Sequence, residues 1–119
     1  MSCPFCNINQ DQIIKKNKFA FAIYDKYPVN SGHLLIISKK HIRDYFTAST
    51  EVKEAIFELM EECKTYLDEK YKPDGYNIGL NCGKEAGQTI MHLHLHLIPR
   101  YEGDIEDPTG GVRGVIPVK

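Results

Sequence analysis

Hydrophobic residues in the middle of the chain recur with the spacing of one helical face. Between Thr50 and Tyr71 the apolar side chains fall three or four positions apart, at Val52, Ile56, Leu59, Met60, Cys63 and Leu67. This spacing aligns them along one side of an α-helix. Ser49 or Thr50 can cap its N-terminus, and the Pro-Asp-Gly sequence of residues 73–75 is typical of a helix end. The pattern therefore predicts a long amphipathic helix over Thr50–Tyr71.

Shorter segments on both sides of this helix have the pattern of β-strands. Apolar side chains alternate with polar ones, or form short runs, in residues 18–24, 33–38, 76–82 and 88–99. Turn-forming residues separate the first two of these segments and the last two. Residues 7–15 do not decide between a short helix and a loop. The whole pattern predicts an α+β fold in which one long helix covers a face of an antiparallel sheet.

Length and charge narrow the classes of function. A chain of 119 residues fits a single domain, and we expect residues 102–119 to be mostly loop. Fifteen basic against 16 acidic side chains give a net charge of −1, which argues against a general nucleic-acid binder. No apolar run approaches the ~20 residues of a membrane span, and the first residues lack a signal-peptide pattern. We expect a cytoplasmic protein without membrane or nucleic-acid partners.

The most informative segment alternates histidine with leucine. In a strand, this period of two places His92, His94 and His96 on one face and the three intervening leucines on the other. Three imidazoles that titrate near neutrality are an unfavourable combination on one face unless a ligand meets them. The pattern indicates a site for one phosphate group or one metal ion. His33, directly after Gly32 at the start of another predicted strand, is a further candidate.

A close pair of cysteines, Cys3 and Cys6, lies near the N-terminus. Two thiols at this spacing can supply two ligands of a metal site whose other ligands come from elsewhere in the sequence. The same pair is also compatible with two unligated thiols near a flexible end, so the spacing alone does not decide.

The segment Gly-Gln-Thr-Ile-Met-His-Leu-His-Leu-His-Leu-Ile-Pro-Arg of residues 87–100 resembles the signature of the histidine triad (HIT) family of nucleotide hydrolases and transferases. Three further stretches are similar to the family pattern: Tyr24-Asp25, residues 32–42, and Asn81 seven positions before Gln88. Residues 3–8 resemble the start of the zinc-carrying bacterial members. The resemblance covers residues 3 to about 101 and implies a sheet of about five strands, one long helix and a short N-terminal helix.

The resemblance implies a reaction at the α-phosphate of a purine nucleotide conjugate, either a dinucleoside polyphosphate or a nucleoside phosphoramidate, with AMP or GMP as product. His94 would be the nucleophile and form a covalent nucleotidyl-histidine. His96 and His33 would contact the α-phosphate or lie behind the nucleophile, and Gln88 would contact the leaving group and the attacking water. The nucleotide-binding residues would be Thr89 and Asn81 at the phosphate, Asp25 at the ribose, and Phe5 and Ile8 at the base.

The same resemblance implies a structural zinc ion held by Cys3, Cys6, His41 and His92, with no organic cofactor and no catalytic metal. It also implies a homodimer that pairs through the long helix, which carries Phe57 and Tyr66, and an adjoining strand. Two other functions remain open at this point. One is a metal-dependent hydrolase whose catalytic metal is bound by His92, His94 and His96, and the other is a nucleotide-binding module without catalysis. A contact of Arg113 with a distal phosphate is a further alternative to a solvated tail.

Overall fold

The computed structural model describes residues 3–111 and shows an antiparallel sheet packed against one long helix, which confirms the predicted α+β class. In chain order the strands and the helix are β1 Lys15–Lys16, β2 Ala20–Tyr24, β3 Leu34–Ser38, α1 Thr50–Tyr71, β4 Gly75–Gly79 and β5 His94–Arg100. Single turns of 3-10 helix lie at Pro4–Asn7, Gln10–Gln12, Tyr45–Thr47 and Lys84–Ala86. Residues 102–111 carry no helix or strand, and Arg113 lies outside the described residues.

The helix begins and ends where its sequence predicts. The Ser49 hydroxyl accepts a hydrogen bond from the Val52 N–H at 3.3 Å, so Ser49 is the N-cap. At the other end Lys72 takes a left-handed conformation with φ of 51°, and Pro73 follows it. The apolar stripe of α1, including Ile56, Leu59 and Leu67, is fully buried against the sheet.

The sheet has the strand order β1-β2-β3-β5-β4, and every neighbouring pair is antiparallel. Leu93, Leu95 and Leu97 all point into the core beneath α1, as their alternation with histidine predicts. A second apolar cluster covers part of the opposite face. It consists of Phe5, Phe21, Ile23, Leu35 and Ile37. This opposite face carries the candidate site.

Two predicted strands have different bounds in the structure. The last one begins at His94 rather than residue 88. The Ser38 N–H still donates to the Leu93 carbonyl at 3.2 Å, but the Leu93 N–H donates to the Ile42 carbonyl instead of to β3. His92 therefore lies in a turn, where its N–H donates to the Ile90 carbonyl at 2.9 Å. The strand predicted over residues 76–82 spans Gly75–Gly79, which leaves Asn81 in the following loop. Within the described residues, no helix has the length and apolar composition needed to cross a lipid bilayer.

Candidate active site and metal centre

A cleft of about 840 Å³ opens on the face of the sheet opposite α1. It lies between the N-terminal turn, the ends of β2 and β5, and the loop before β5. Most of the residues predicted to bind or attack a nucleotide line this cleft: Phe5, Ile8, Asp25, Asn81, Gln88, Thr89, His94 and His96. The remaining one, His33, lies beneath His96 and is only 3% exposed. Residues from five separate parts of the sequence thus meet in one place.

His94 is held so that one ring nitrogen is committed to the backbone. Its Nδ1 lies 2.7 Å from the carbonyl oxygen of His92, and a carbonyl can only accept, so Nδ1 carries the proton. The other nitrogen, Nε2, then keeps a lone pair. The ring of Phe5 packs edge-on against His94 with centroids 5.0 Å apart and limits its rotation. The arrangement fixes the orientation of the imidazole, and Nε2 is the nitrogen that faces away from the backbone.

A chain of hydrogen bonds fixes the protons of His33 and His96. The Val29 N–H donates to Nδ1 of His33 at 3.0 Å, so the proton of the neutral ring lies on Nε2. This Nε2 lies 3.0 Å from Nδ1 of His96, which accepts, and the proton of His96 is therefore on its Nε2. Burial, together with the nearby rings of His94 and His33, lowers the pKa of His96 to about 4. His96 is thus a neutral donor at neutral pH.

Asp25 lies beside this pair of histidines at the end of β2. Its Oδ1 accepts from the Tyr27 N–H at 2.9 Å, and its Oδ2 lies 3.3 Å from Nε2 of His33. Burial lowers the pKa of His33, and the carboxylate of Asp25 opposes that effect. Asp25 therefore favours the donor role of His33 while its carboxylate also lines the cleft.

Asp25, His33 and His96 are close enough together to suggest a cation site. The hydrogen bonds argue against it. A metal at Nε2 of His33 would require that nitrogen to be unprotonated, which would put the proton on Nδ1 against the Val29 N–H. The three residues are instead satisfied as a hydrogen-bonded group.

Gln88 lines the cleft and is held there by hydrogen bonds to the backbone. Its side chain is 3% exposed, its Oε1 accepts from the Gly83 N–H at 2.8 Å, and its Nε2 donates to the carbonyls of Arg43 and Ile90. The amide thus joins the loop before β5 to the loop after β3. Thr89 and Asn81 are exposed along the cleft wall.

The predicted metal ligands converge beside His94. All four ligand atoms of Cys3, Cys6, His41 and His92 lie within 4.8 Å of one another. Nδ1 of His92 is 3.3 Å from Sγ of Cys3, and Nδ1 of His41 is 3.2 Å from Sγ of Cys6. A tetrahedral zinc site with ordinary Zn–S and Zn–N bonds has sulfur–nitrogen separations of about 3.5 Å. The donor set and its spacing fit such a site.

The hydrogen bonds and burial of His92 support its role as a metal ligand. The side chain is fully buried, and its Nε2 donates to the Ser38 carbonyl at 2.7 Å. That bond leaves the lone pair on Nδ1, the atom that faces the two sulfurs, as expected for a metal-ligating histidine with an outer hydrogen bond. His92 therefore faces the cysteines and does not converge with His94 and His96 on one metal, which argues against the hydrolase with three histidine ligands.

Comparison with known proteins agrees with this geometry. The family model described as HIT domain matches residues 7–103. The chain belongs to the HIT domain family. The crystal structure of a histidine triad family protein from Mycobacterium smegmatis, described as Zn-bound, is similar with a TM-score of 0.80 and 32% identity, covering 89% of this chain and 80% of that chain.

Two relatives of this HIT domain protein have named activities. The AP-4-A phosphorylase of Mycobacterium tuberculosis is 28% identical over 107 residues, which are 85% of this chain and 55% of that protein. The bis(5'-adenosyl)-triphosphatase of Saccharomyces cerevisiae is 29% identical over 93 residues, which are 77% of this chain and 45% of that protein.

Some contributors to the HIT site could not be identified from the sequence. The Val29 N–H and the Ser38 carbonyl act through the backbone, so their residue types carry no signal. Lys26 and Tyr27 also line the cleft, next to Asp25. The sequence indicates their place in the site only through their position directly after β2, which ends at the cleft.

Proposed function

We propose that this HIT domain protein is a nucleotide hydrolase or nucleotidyl transferase that acts at the α-phosphate of a purine nucleotide conjugate through a covalent nucleotidyl-histidine. The observation that carries the proposal is the 2.7 Å hydrogen bond from Nδ1 of His94 to the His92 carbonyl. It fixes the tautomer whose Nε2 is an available nucleophile. The named activities of the two relatives, both on adenosine nucleotides, support the substrate class.

The first step forms a bond between Nε2 of His94 and the α-phosphorus and breaks the bond from phosphorus to the leaving group. The leaving group departs with the bonding electron pair, as a phosphate anion from a polyphosphate or as an amine whose nitrogen takes up a proton from solvent. His96, a neutral donor whose Nε2–H is not used by His33, can stabilise the negative oxygens that gain charge during this step. In the second step water attacks the phosphorus and gives up a proton to solvent, the bonding pair returns to Nε2 of His94 as the phosphorus–nitrogen bond breaks, and a nucleoside monophosphate is released.

The rest of the cleft suits the nucleotide that this chemistry requires. The Asp25 carboxylate is an acceptor for a ribose diol, and Phe5 and Ile8 supply apolar area for a purine base. Thr89 and Asn81 offer hydroxyl and amide groups on the phosphate side. The four-ligand cluster of Cys3, Cys6, His41 and His92 would hold zinc as a structural ion, which would tie the N-terminal turn to the residue that orients His94.

A panel of conjugates tests the proposed activity. The protein should release AMP or GMP from diadenosine tetraphosphate, adenosine 5'-phosphoramidate or their guanosine counterparts. His94→Ala should lose turnover by more than about a hundredfold, because the covalent step needs the nucleophile, yet bind AMP within about threefold of wild type. Tight AMP binding by the wild-type protein with no turnover of any conjugate would instead favour the non-catalytic binding module.

We also propose a homodimer. Within residues 3–111, β4 is an edge strand with no strand paired on its outer side, and its Ile78 is 45% exposed. Phe57 on α1 is 36% exposed. Tyr66, the other aromatic residue considered for the interface, has its hydroxyl 2.8 Å from that of Tyr24. An open strand edge and an exposed aromatic side chain on the adjoining helix are surfaces that a second copy can cover.

A further inference from the structure

The loop between β2 and β3 sets the tautomer of His33, so whatever holds this loop also acts on the site. Val29 donates its N–H to Nδ1 of His33, and the His33 N–H donates to the Asn30 carbonyl at 3.2 Å. Gly32 has a φ of +91° and packs closely: a Cβ there would lie 3.1 Å from Pro99. The loop is thus folded tightly against the end of β5.

Side-chain bonds attach this loop to the segment that follows β5. The Asn30 amide donates to the Pro99 carbonyl at 3.0 Å and to Oδ2 of Asp104 at 2.7 Å. The Tyr101 hydroxyl donates to the Ser31 carbonyl at 2.7 Å. These contacts join residues about 70 positions apart in the sequence, and Asp104 provides the only carboxylate among them.

Asp104 is the centre of this attachment. Its carboxylate accepts two hydrogen bonds from the Arg100 guanidinium, from Nε at 2.9 Å and from Nη2 at 3.0 Å, in a bidentate pair. It also accepts from the Tyr101 N–H at 3.0 Å and from Asn30. These donors hold the pKa of Asp104 well below its usual range, with the Arg100 bonds contributing most. The side chain is 12% exposed, and it does not line the cleft.

We propose that Asp104 is a positioning residue for the catalytic site. Through Asn30 it holds the β2–β3 loop where the Val29 N–H meets His33, and His33 in turn keeps the proton of His96 on Nε2, facing the phosphate. The proposal rests on the proposed function for its effect on turnover only. The effect on the histidine tautomers follows from the hydrogen bonds themselves.

The test compares three variants. D104N keeps the shape of the side chain but places an N–H₂ group against donors. N30S removes the amide that reaches both Asp104 and the Pro99 carbonyl, and it leaves the Arg100–Asp104 pair in place. D74N is the matched control, because the Asp74 carboxylate accepts from the Glu102 N–H at 2.8 Å and so anchors the same segment without contacting the β2–β3 loop. The tautomers of His33 and His96 are determined from the nitrogen-15 shifts of their rings by NMR.

We expect wild type and D74N to show His33 as a single Nε2–H tautomer. In D104N and N30S both tautomers of His33 should be populated, and kcat should fall about tenfold with little change in KM, because the lost contacts affect orientation rather than nucleotide binding. A single Nε2–H tautomer of His33 in both variants would overturn the proposal, and so would a mixture of tautomers in N30S without one in D104N, which would assign the effect to the Asn30–Pro99 bond. If D104N does not fold, a single tautomer in N30S is enough to overturn the proposal. If no conjugate is turned over even by wild type, the proposed function fails, and the NMR result still decides the role of Asp104.

Discussion

At the scale of single residues, His96 links the protonation of the site to the stability of the fold. Its pKa of about 4 in the folded protein lies below the ordinary value of 6.5. Between pH 4 and pH 6.5 the unfolded chain binds a proton at His96 that the folded protein does not bind. Burial of the neutral ring therefore costs no stability through protonation above pH 6.5, and the free energy of unfolding decreases as pH falls from 6.5 toward 4.

The melting temperature of wild type should therefore decrease as pH falls from about 7 to about 5. In His96→Asn this decrease should be smaller, because the group that resists protonation is gone, although the lowered pKa values of His33 and His92 leave part of it. Calorimetry at several pH values measures the difference. Identical slopes for the two proteins would show that His96 has an ordinary pKa in the folded state.

Gln88 should contribute chiefly to stability. Gln88→Ala leaves the Gly83 N–H and the carbonyls of Arg43 and Ile90 without their side-chain partner, which costs about 1–3 kcal/mol of unfolding free energy. Thr89→Ala, at the exposed neighbouring position, should change it by less than about 0.5 kcal/mol. Denaturant unfolding of both variants provides the comparison, and equal stabilities would contradict the role that the hydrogen bonds give Gln88.

The residue types predict some of these side-chain positions and not others. The alternation of His and Leu in residues 92–97 predicts which side chains face the core, and the three leucines do so. It does not show that the ring of His92 turns toward Cys3, 89 positions away in the sequence. The link from Asp104 to Asn30 was equally out of reach, because it depends on how the end of β5 meets a distant loop.

At the scale of elements, the N-terminal 3-10 turn Pro4–Asn7 is attached to the sheet by its buried Phe5 and by the cluster that Cys3 and Cys6 form with His41 and His92. Cys3→Ser should release about one zinc ion per chain and lower the melting temperature, since the ligands that tie this turn to His41 and His92 are then incomplete. Turnover measured well below the melting temperature should persist. Zinc content, melting temperature and turnover are measured on this one variant.

Two outcomes of that experiment would contradict a structural zinc site. If Cys3→Ser keeps its zinc, the four-ligand cluster is not the binding site. If a chelator abolishes turnover at once in a protein that remains folded, the metal acts in the reaction. Cys63→Ser is the control, because this buried thiol in α1 lies in the core beneath the sheet and outside the cluster.

The elements also differ in how far the sequence determines them. α1 has the same bounds as predicted, because its 22 residues carry a repeated apolar spacing and signals at both ends. β1 contains only Lys15 and Lys16, and two residues are too few for any period. The start of β5 depends on which backbone groups residues 92 and 93 meet, and the Leu93 N–H bonds to Ile42 in the loop after β3, which the pattern of residues 88–93 does not reveal.

At the scale of the whole molecule, the edge strand β4 and the exposed Phe57 predict that the protein has the mass of a dimer in solution. Sedimentation at micromolar concentration should give about 27 kDa, twice the 13.6 kDa of one chain. Phe57→Glu and Ile78→Glu should shift the protein toward the monomer, because each introduces a charge into the proposed interface. Phe46→Glu, at a more exposed aromatic residue outside α1 and β4, should leave the mass unchanged. A monomeric wild-type protein would contradict the dimer.

The central claim is the covalent intermediate on His94, and intact-protein mass spectrometry tests it directly. The protein is mixed with diadenosine tetraphosphate or adenosine 5'-phosphoramidate and denatured within milliseconds at alkaline pH, where a phosphorus–nitrogen bond to histidine survives. The account predicts a mass increase of one adenylyl group, mapped by peptide sequencing to His94 and absent from His94→Ala. Turnover of the conjugate with no adduct in wild type, together with residual hydrolysis by His94→Ala within about tenfold of wild type, would contradict it.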